Sequence, residues 1–458
     1  MRTLIAILLA LFVGSIAAVW WLQFESFPPE AKLANEVGKL GRGASFEFAL
    51  RADSPGLHTV EVRLSPERAE AEPVVIHSET FEAASWRGSG VLEKTVTIQP
   101  DFAALGIPEG KGSLEVFVTT YAWHLLPRSG EPQLRVPIEI DLTPPRLEVL
   151  TTEHPMRVGG SALVVFQQSP DTVYSGVAVG DYFFPASRGY FVDENAALAF
   201  FAVPQDLDSD VRPRLIARDG AGNEREVRLP ARIRPRTFRE RTMEVSDAFL
   251  ERKVPEIRED NRMPATDDLL QGYLEINRNL RRQNEEKIRE VTAKSSAPAN
   301  WTGAFLRQSR AANVSEFADR RAYEYKGEIV DRQIHLGYDL ASVKLTPIEA
   351  AQNGVVVFAD LLGIYGDTVI LDHGLGIFSL YAHLSTISVA VGDSVARGAT
   401  VGRSGETGLA GGDHLHFSIM IHGIHVDPVE WWDDHWLQDQ VRRKLALLPA
   451  AAPMKEAN

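Results

Sequence analysis

The sequence predicts a mainly β, multidomain chain on three observations: its length of 458 residues, recurrent apolar alternation of period two, and one long apolar segment near the N-terminus. Domains commonly run about 100 to 200 residues, so this length calls for three or four folded units. A hydrophobic content of 44% with 24% charged residues is ordinary globular composition, able to bury cores. The net charge of −14 argues against a nucleic-acid partner, because phosphate-tracking proteins cluster Lys and Arg to release counterions. With no cysteine, a disulfide scaffold, a thiol nucleophile and a Cys-ligated zinc finger are excluded. Any metal site must use His, Asp or Glu.

The first element, residues 1–23, reads as a transmembrane signal anchor. Leu4 to Leu22 carries no charge over 19 residues, and at about 1.5 Å per residue it spans roughly 28 Å, close to a bilayer core. Arg2 precedes it and Glu25 and Glu30 follow, so the positive-inside tendency retains the N-terminus in the cytoplasm and exports the rest. Trp20 and Trp21 suit an interfacial belt. Ala17 and Ala18 leave cleavage open, although the apolar run is longer than a usual signal-peptide core.

Residues 24–142 are expected to form a β-sandwich. The runs Phe46/Phe48/Leu50, Val60/Val62/Leu64, Leu114/Val116/Val118 and Leu134/Val136/Ile138/Ile140 alternate as half-buried strands do, with turn chemistry at Asp53-Ser54-Pro55-Gly56 and Pro108-Glu109-Gly110. Thr143-Pro144-Pro145 breaks that pattern. Residues 143–235 then read as a second, Ig-like β-sandwich domain, closing on a hairpin at Ala217-Arg218-Asp219-Gly220-Ala221-Gly222-Asn223 that is similar to the last hairpin of bacterial immunoglobulin-like domains. Either β domain could dock envelope proteins or serve as a packed spacer.

Residues 236–300 read as an amphipathic helical linker. Leu269, Tyr273, Ile276, Leu280, Ile288 and Val291 fall near helical spacing among many charges, Pro255 and Pro264 punctuate the approach, and Ser295 to Ala299 forms a link. Residues 301–436 form the candidate catalytic domain, a small antiparallel β unit. Residues 437–458 form a C-terminal tail, whose Pro449 to Pro453 stretch suggests a frayed end.

Four of the twelve histidines lie in the first 300 residues, and eight fall between His335 and His435. Three patterns stand in order: His335-Leu-Gly-Tyr-Asp339, Tyr381-Ala-His383-Leu384 and His414-Leu-His416-Phe417. A catalytic zinc takes three protein ligands and leaves a position for water. His335 and Asp339 supply a nitrogen and an oxygen. Alternation puts His414 and His416 on one face of a strand, so one can ligate while the other acts as a base. His373, His422, His425 and His435 read as structural histidines. The Gly402–Gly412 run lacks the Gly-Lys-Ser/Thr ending of a phosphate loop and is expected to be a flexible border of the cleft, its small residues leaving room for substrate.

The ordered set HxGxD, YxHL and HLHF resembles the M23 peptidases, the lysostaphin- and LytM-type zinc endopeptidases of peptidoglycan, over about residues 301–436. Val369 to Gly374, Gly392 to Val395 and Val426-Asp427-Pro428 extend the fit. The resemblance implies a LytM-type fold with a zinc-floored groove, one Zn2+ held by His335, Asp339 and His416, and catalytic His383 and His414. Zinc-bound water would be the nucleophile, with His414 as preferred general base and His383 supporting the oxyanion, roles that could be reversed. The implied substrate is the peptide cross-link of peptidoglycan stems, and the implied setting is the inner membrane with the catalytic domain in the periplasm. The rival reading is a non-catalytic envelope regulator that activates another wall hydrolase.

Overall fold

The computed structural model describes the chain apart from positions 1, 24–26, 36, 54, 68–71, 123–129, 297 and 452–458, and apart from the side chains at 2–4, 6 and 22. The start of the expected anchor, Ser54 of the first turn, Ala297 of the linker and Pro453 of the tail therefore lie outside the described residues. The chain is mainly β and divides into two compact units: Met1–Pro145 with Arg218–Glu224, and Arg146–Ala217 with Arg225–Asn458.

In the first unit, Arg2–Gln23 form one helix. Among the described residues, no helix is long and apolar enough to cross a membrane. A three-stranded sheet pairs Glu30–Leu33, Phe46–Arg51 and Glu93–Ile98, and a five-stranded sheet runs in the order Lys39–Leu40, Leu134–Ile140, Gly110–Thr120, Leu57–Pro66, Val74–Thr80. The period-two residues Phe46, Phe48, Leu50, Val60, Val62, Leu64, Leu114, Val116 and Val118 share one buried core, as alternation requires of half-buried strands.

The second unit begins with a four-stranded sheet in the order Ser187–Arg188, Ala196–Ala202, Ser161–Gln168, Leu147–Val149. Every residue of Ala196–Ala202 is buried, which is possible only if both faces are covered. Its Phe200 lies 5.9 Å from Trp431 and 6.3 Å from Trp301, ring centre to ring centre. This sheet and the C-terminal domain therefore share one core. An ionic junction reinforces it: Arg157 and Arg236 donate to Asp427 Oδ2 at 2.8 and 2.6 Å, while Asp427 Oδ1 accepts the Val429 N–H and caps the helix Pro428–Trp432.

Segment 236–300 differs from a plain helical linker. It opens with a strand, Glu240–Glu244, paired parallel to Arg320–Tyr325. A helix then runs Asp247–Asp260 straight through Pro255, capped by Ser246. Burial of Leu250, Val254 and Ile257 outweighs the hydrogen bond that proline forfeits. Leu269–Glu275 and Arg281–Val291 follow as α-helix, joined by a π-helical turn at Ile276–Leu280. Tyr273, Ile276, Leu280 and Ile288 face the C-terminal sheet and pack with Ile364, Phe378, Leu380 and Met420.

That sheet runs antiparallel in the order Ala312–Ser315, Tyr338–Ala341, Leu415–Ile421, Ile377–Ile387, Asp367–Gly374, Gly354–Leu361, Ser394–Val395. Up to Ala451 the tail differs from a frayed end. Leu437, Val441 and Leu445 recur at helical spacing and are buried, and Val192 N–H donates to Pro449 O at 2.9 Å. The prolines and alanines beyond them hide that apolar stripe from composition.

Candidate metal and catalytic centre

Strand register assembles the centre. Asp339 stands opposite His416 on the neighbouring strand, and His416 stands opposite Ala382, one residue before His383. His335 enters from the turn ahead of Tyr338–Ala341. Gly337 in that turn has a steric role, because a Cβ there would lie 2.6 Å from His416 Nε2 and 2.5 Å from Ser418 Oγ. His383 sits in the left-handed region at φ 59°, uncommon for a residue with a side chain and typical of a position held by its surroundings.

All five predicted positions converge. His335 Nε2 lies 2.9 Å from Asp339 Oδ1, His416 Nδ1 lies 3.0 Å from the same oxygen, and the two nitrogens are 3.0 Å apart. His414 Nε2 is 3.5 Å from that oxygen. The His383 and His414 rings are 4.8 Å apart, and His383 is 5.9 Å from His416.

Backbone carbonyls decide which nitrogen of each ring faces inward. A carbonyl only accepts, so a ring nitrogen bonded to one carries the proton. His335 Nδ1 donates to Glu316 O at 2.9 Å, His383 Nδ1 to Thr407 O at 2.8 Å, and His414 Nδ1 to Gly412 O at 2.7 Å. Their Nε2 atoms are then lone pairs in the neutral rings. For His416 the arrangement is reversed: Ser418 Oγ donates to Leu336 O and lies 3.3 Å from His416 Nε2, which leaves Nδ1 as the inward lone pair.

His335 Nε2, His416 Nδ1 and Asp339 Oδ1 thus point electron pairs at one another and need positive charge between them. Protons on the rings are a poor source. Burial lowers the pKa of His335 and takes His416 down to about 4. The three atoms lie within 4.8 Å of one another and could hold a metal ion. A tetrahedral shell with bonds of about 2.0 to 2.1 Å has edges near 3.3 Å, close to the spacing found.

The remaining groups tune this centre. Burial opposes the charge on Asp339; its pKa still lies well below the carboxylate range, through positive charge and donors that His335, His414 and His416 supply only when protonated. Arg321 donates to its other oxygen at 2.8 Å. Burial and the neighbouring imidazoles His414 and His416 hold His383 well below its ordinary value. For His414 burial again opposes the charge, and here Asp339 prevails and raises the pKa. The Tyr365 ring lies 5.4 Å from that of His416, and its hydroxyl donates to Glu285 at 2.7 Å.

A cavity of about 430 Å³ opens over these groups. Gly411 and Gly412 border it from the glycine-rich loop, and Met243, Phe249 and Tyr273 wall it from the 236–300 segment. Hydrogen bonds tie the loop to its surroundings: Thr407 O accepts from His383 Nδ1, Ser404 donates to Asp413 at 2.6 Å, and the buried Lys253 Nζ donates to Glu406 O at 2.6 Å. Gly366 and Gly408 serve close backbone packing, since a Cβ on Gly408 would lie 2.4 Å from Gly366 N. His373 is structural, bonded to Asn353 O and Ser379 Oγ at 2.7 Å each. Sequence reasoning missed Arg321, Tyr365, Thr407 and Ser418. Arg321 and Tyr323 alternate on one strand face, a weak signal, while the others reach the site only through sheet register and loop packing.

The family model for peptidase family M23 matches residues 333–428. DD-carboxypeptidase/endopeptidase Mpg of Neisseria meningitidis is 41% identical over 97 residues, 21% of this chain and 22% of that protein. Peptidoglycan DD-endopeptidase ShyC of Vibrio cholerae is 35% identical over 114 residues, 25% of this chain and 26% of that protein. A crystal structure of a putative peptidase M23 from Pseudomonas aeruginosa aligns at 20% identity with a TM-score of 0.37, covering 60% of this chain and 94% of that one. The matched segment spans about a quarter of the length of these curated relatives. With the HxGxD, YxHL and HLHF positions gathered around one cavity inside that segment, this chain carries a peptidase family M23 domain.

Proposed function

We propose that this protein is a zinc-dependent endopeptidase that hydrolyses peptide cross-links of peptidoglycan, tethered to the bacterial inner membrane by its N-terminal helix with the M23 domain in the periplasm. The observation that carries this reading is the convergence of His335 Nε2, Asp339 Oδ1 and His416 Nδ1 within 3.0 Å, electron pairs inward. The names of the relatives over the same segment support the substrate class.

In this reading His335, Asp339 and His416 hold one Zn2+. When bound, zinc polarises the scissile carbonyl and brings the pKa of water near neutrality. His414, its Nδ1 proton committed to Gly412 O, presents Nε2 to accept the water proton and return it to the leaving amine. His383 was expected to support the oxyanion. Its Nδ1 proton is committed to Thr407 O, so the Nε2 of the neutral ring accepts a hydrogen bond and is suited to orienting the water instead. Arg321 fixes the second oxygen of Asp339 and so holds the carboxylate in place. The regulator reading is not favoured, because all five positions are present and face one cavity.

Mass spectrometry of muropeptides after the full chain meets cross-linked peptidoglycan tests the activity, with His416→Ala as control. Loss of cross-linked dimers only with the intact site is expected; dimers surviving both proteins would refute the reading. The tether is tested separately by fractionation. Release of the protein from membranes by salt alone would rule it out.

A further inference from the structure

Beside the catalytic cavity lies a second one of about 770 Å³ whose walls carry seven arginines, Arg241, Arg278, Arg281, Arg282, Arg320, Arg321 and Arg332, against two acids, Glu240 and Glu285. Such a concentration is unexpected in a chain of net charge −14. Four of the arginines are anchored by carboxylates: Arg278 by Asp331, Arg282 by Glu286, Arg321 by Asp339 and, at 4.0 Å, Arg241 by Asp319. The other three have no carboxylate at ion-pair distance among the described residues. Arg281 bonds Asn277 and Arg320 donates to Gln205 O, while Arg332 is exposed on the strand Glu328–Ile334. Arg321 Nε is buried without a hydrogen-bond partner. Glu285 is already engaged by Tyr365 and His425.

The two cavities share Arg241, Arg281, Arg321 and Leu336, so one ligand can occupy both. A wall of fork-shaped donors with an unsatisfied N–H suits a group that only accepts hydrogen bonds, and guanidinium matches carboxylate bidentately. We propose that this arginine-lined cavity is a specificity subsite for a free carboxylate of the peptide substrate, placed a short way along the chain from the scissile bond. The inference rests on the peptidase reading given above. It makes the enzyme selective for cross-links whose stem carboxylates are free over those in which they are amidated.

The test compares kcat/KM of the full-length protein on a cross-linked tetrapeptide dimer with free carboxylates and on the same dimer amidated. The wild type should favour the free form by roughly tenfold or more, the equivalent of one charged hydrogen bond. In Arg281→Gln/Arg332→Gln the ratio should fall to within about twofold. Arg332→Gln alone, at an exposed position, should lower the ratio part of the way without any folding penalty. A wild-type ratio near one, or a ratio unchanged in the double variant, overturns the subsite. Calorimetry with full-length His416→Ala supplies a readout without turnover. If the wild type cleaves neither dimer, the peptidase reading fails, and the subsite is judged on binding: tighter binding of the free dimer, lost with both arginines, supports it, and equal binding of the two dimers overturns it.

Discussion

Asp339 and Asp427 are both buried in the same compact unit, yet their surroundings differ in kind. Asp427 is fully occupied by donors: Arg157 and Arg236 on one oxygen, the Val429 N–H on the other. Asp339 has one oxygen occupied by Arg321, while the other faces His335 Nε2 and His416 Nδ1, two lone pairs in the neutral rings. A buried charge persists only when paired. Asp427 is therefore complete as a structural element, and Asp339, with Arg321 on one oxygen, is complete only with a second cation beside the other. What separates a carboxylate that does chemistry from one that holds the fold is the protonation of the groups facing it, which the carbonyls of Glu316 and the hydroxyl of Ser418 decide.

Substitution at each site should separate these roles. His416→Ala removes an electron-pair donor and should lower the rate of cross-link hydrolysis by about 10³-fold or more, with the protein still folded. Retention of near-normal rates, followed by chromatography of muropeptides, would sink the assignment of His416. Asp427→Ala should do the opposite, leaving zinc stoichiometry intact while lowering stability by roughly 2–4 kcal/mol. That is somewhat less than for a fully buried pair, because Arg157 is 37% exposed. Urea unfolding with parallel metal analysis checks both halves of the expectation. A smaller effect is expected of Ser418→Ala, which frees His416 Nε2 from its acceptor and should weaken zinc affinity about 10- to 100-fold, measured by competition with a chelator. Unchanged affinity would mean that the tautomer of His416 is set by something other than Ser418.

The five histidine and aspartate positions at the centre were legible because ligand chemistry restricts residue type and spacing, and strand alternation turns spacing into direction. The sandwich core of the first unit was legible for the same reason: Phe46/Phe48/Leu50 and Val60/Val62/Leu64 need only period two to find their face. The atoms that orient the rings were not legible. Glu316, Thr407 and Gly412 act through backbone carbonyls, which any residue type supplies. Arg321 and Tyr365 act through tertiary placement, and Tyr365 arrives only because Asn284 Oδ1 accepts the Ile364 N–H and Glu285 takes the Tyr365 hydroxyl. The helix through Pro255 and the packed tail were misread because local breakers were weighed without the burial that overrides them.

The ionic junction offers the finest test of the same contrast, through Glu430. This carboxylate is buried beside Asp427, accepts Ser161 N–H at 2.9 Å and lies 3.4 Å from Arg157 Nε. Burial, with the adjacent Asp427 charge, raises its pKa from 4.5 to about 7, against the pull of Ser161 and Arg157. Between those values the folded protein holds a proton that the unfolded chain has released, so stability falls as pH rises through the window. Buried His154, His373 and His422, each lowered to about 4, act in the other direction, since below about 6.5 the unfolded chain takes up protons that they refuse. These histidines are common to the wild type and Glu430→Gln, and the difference between the two proteins isolates Glu430. Glu430→Gln should match the wild type in Tm near pH 4.5 and exceed it by about 5 °C or more at pH 7.5, where the folded wild type must give up the proton despite burial. A Tm difference that stays constant across the window would show that Glu430 titrates alike in the folded and unfolded chain, and that the Asp427 junction tolerates a second buried charge at no cost.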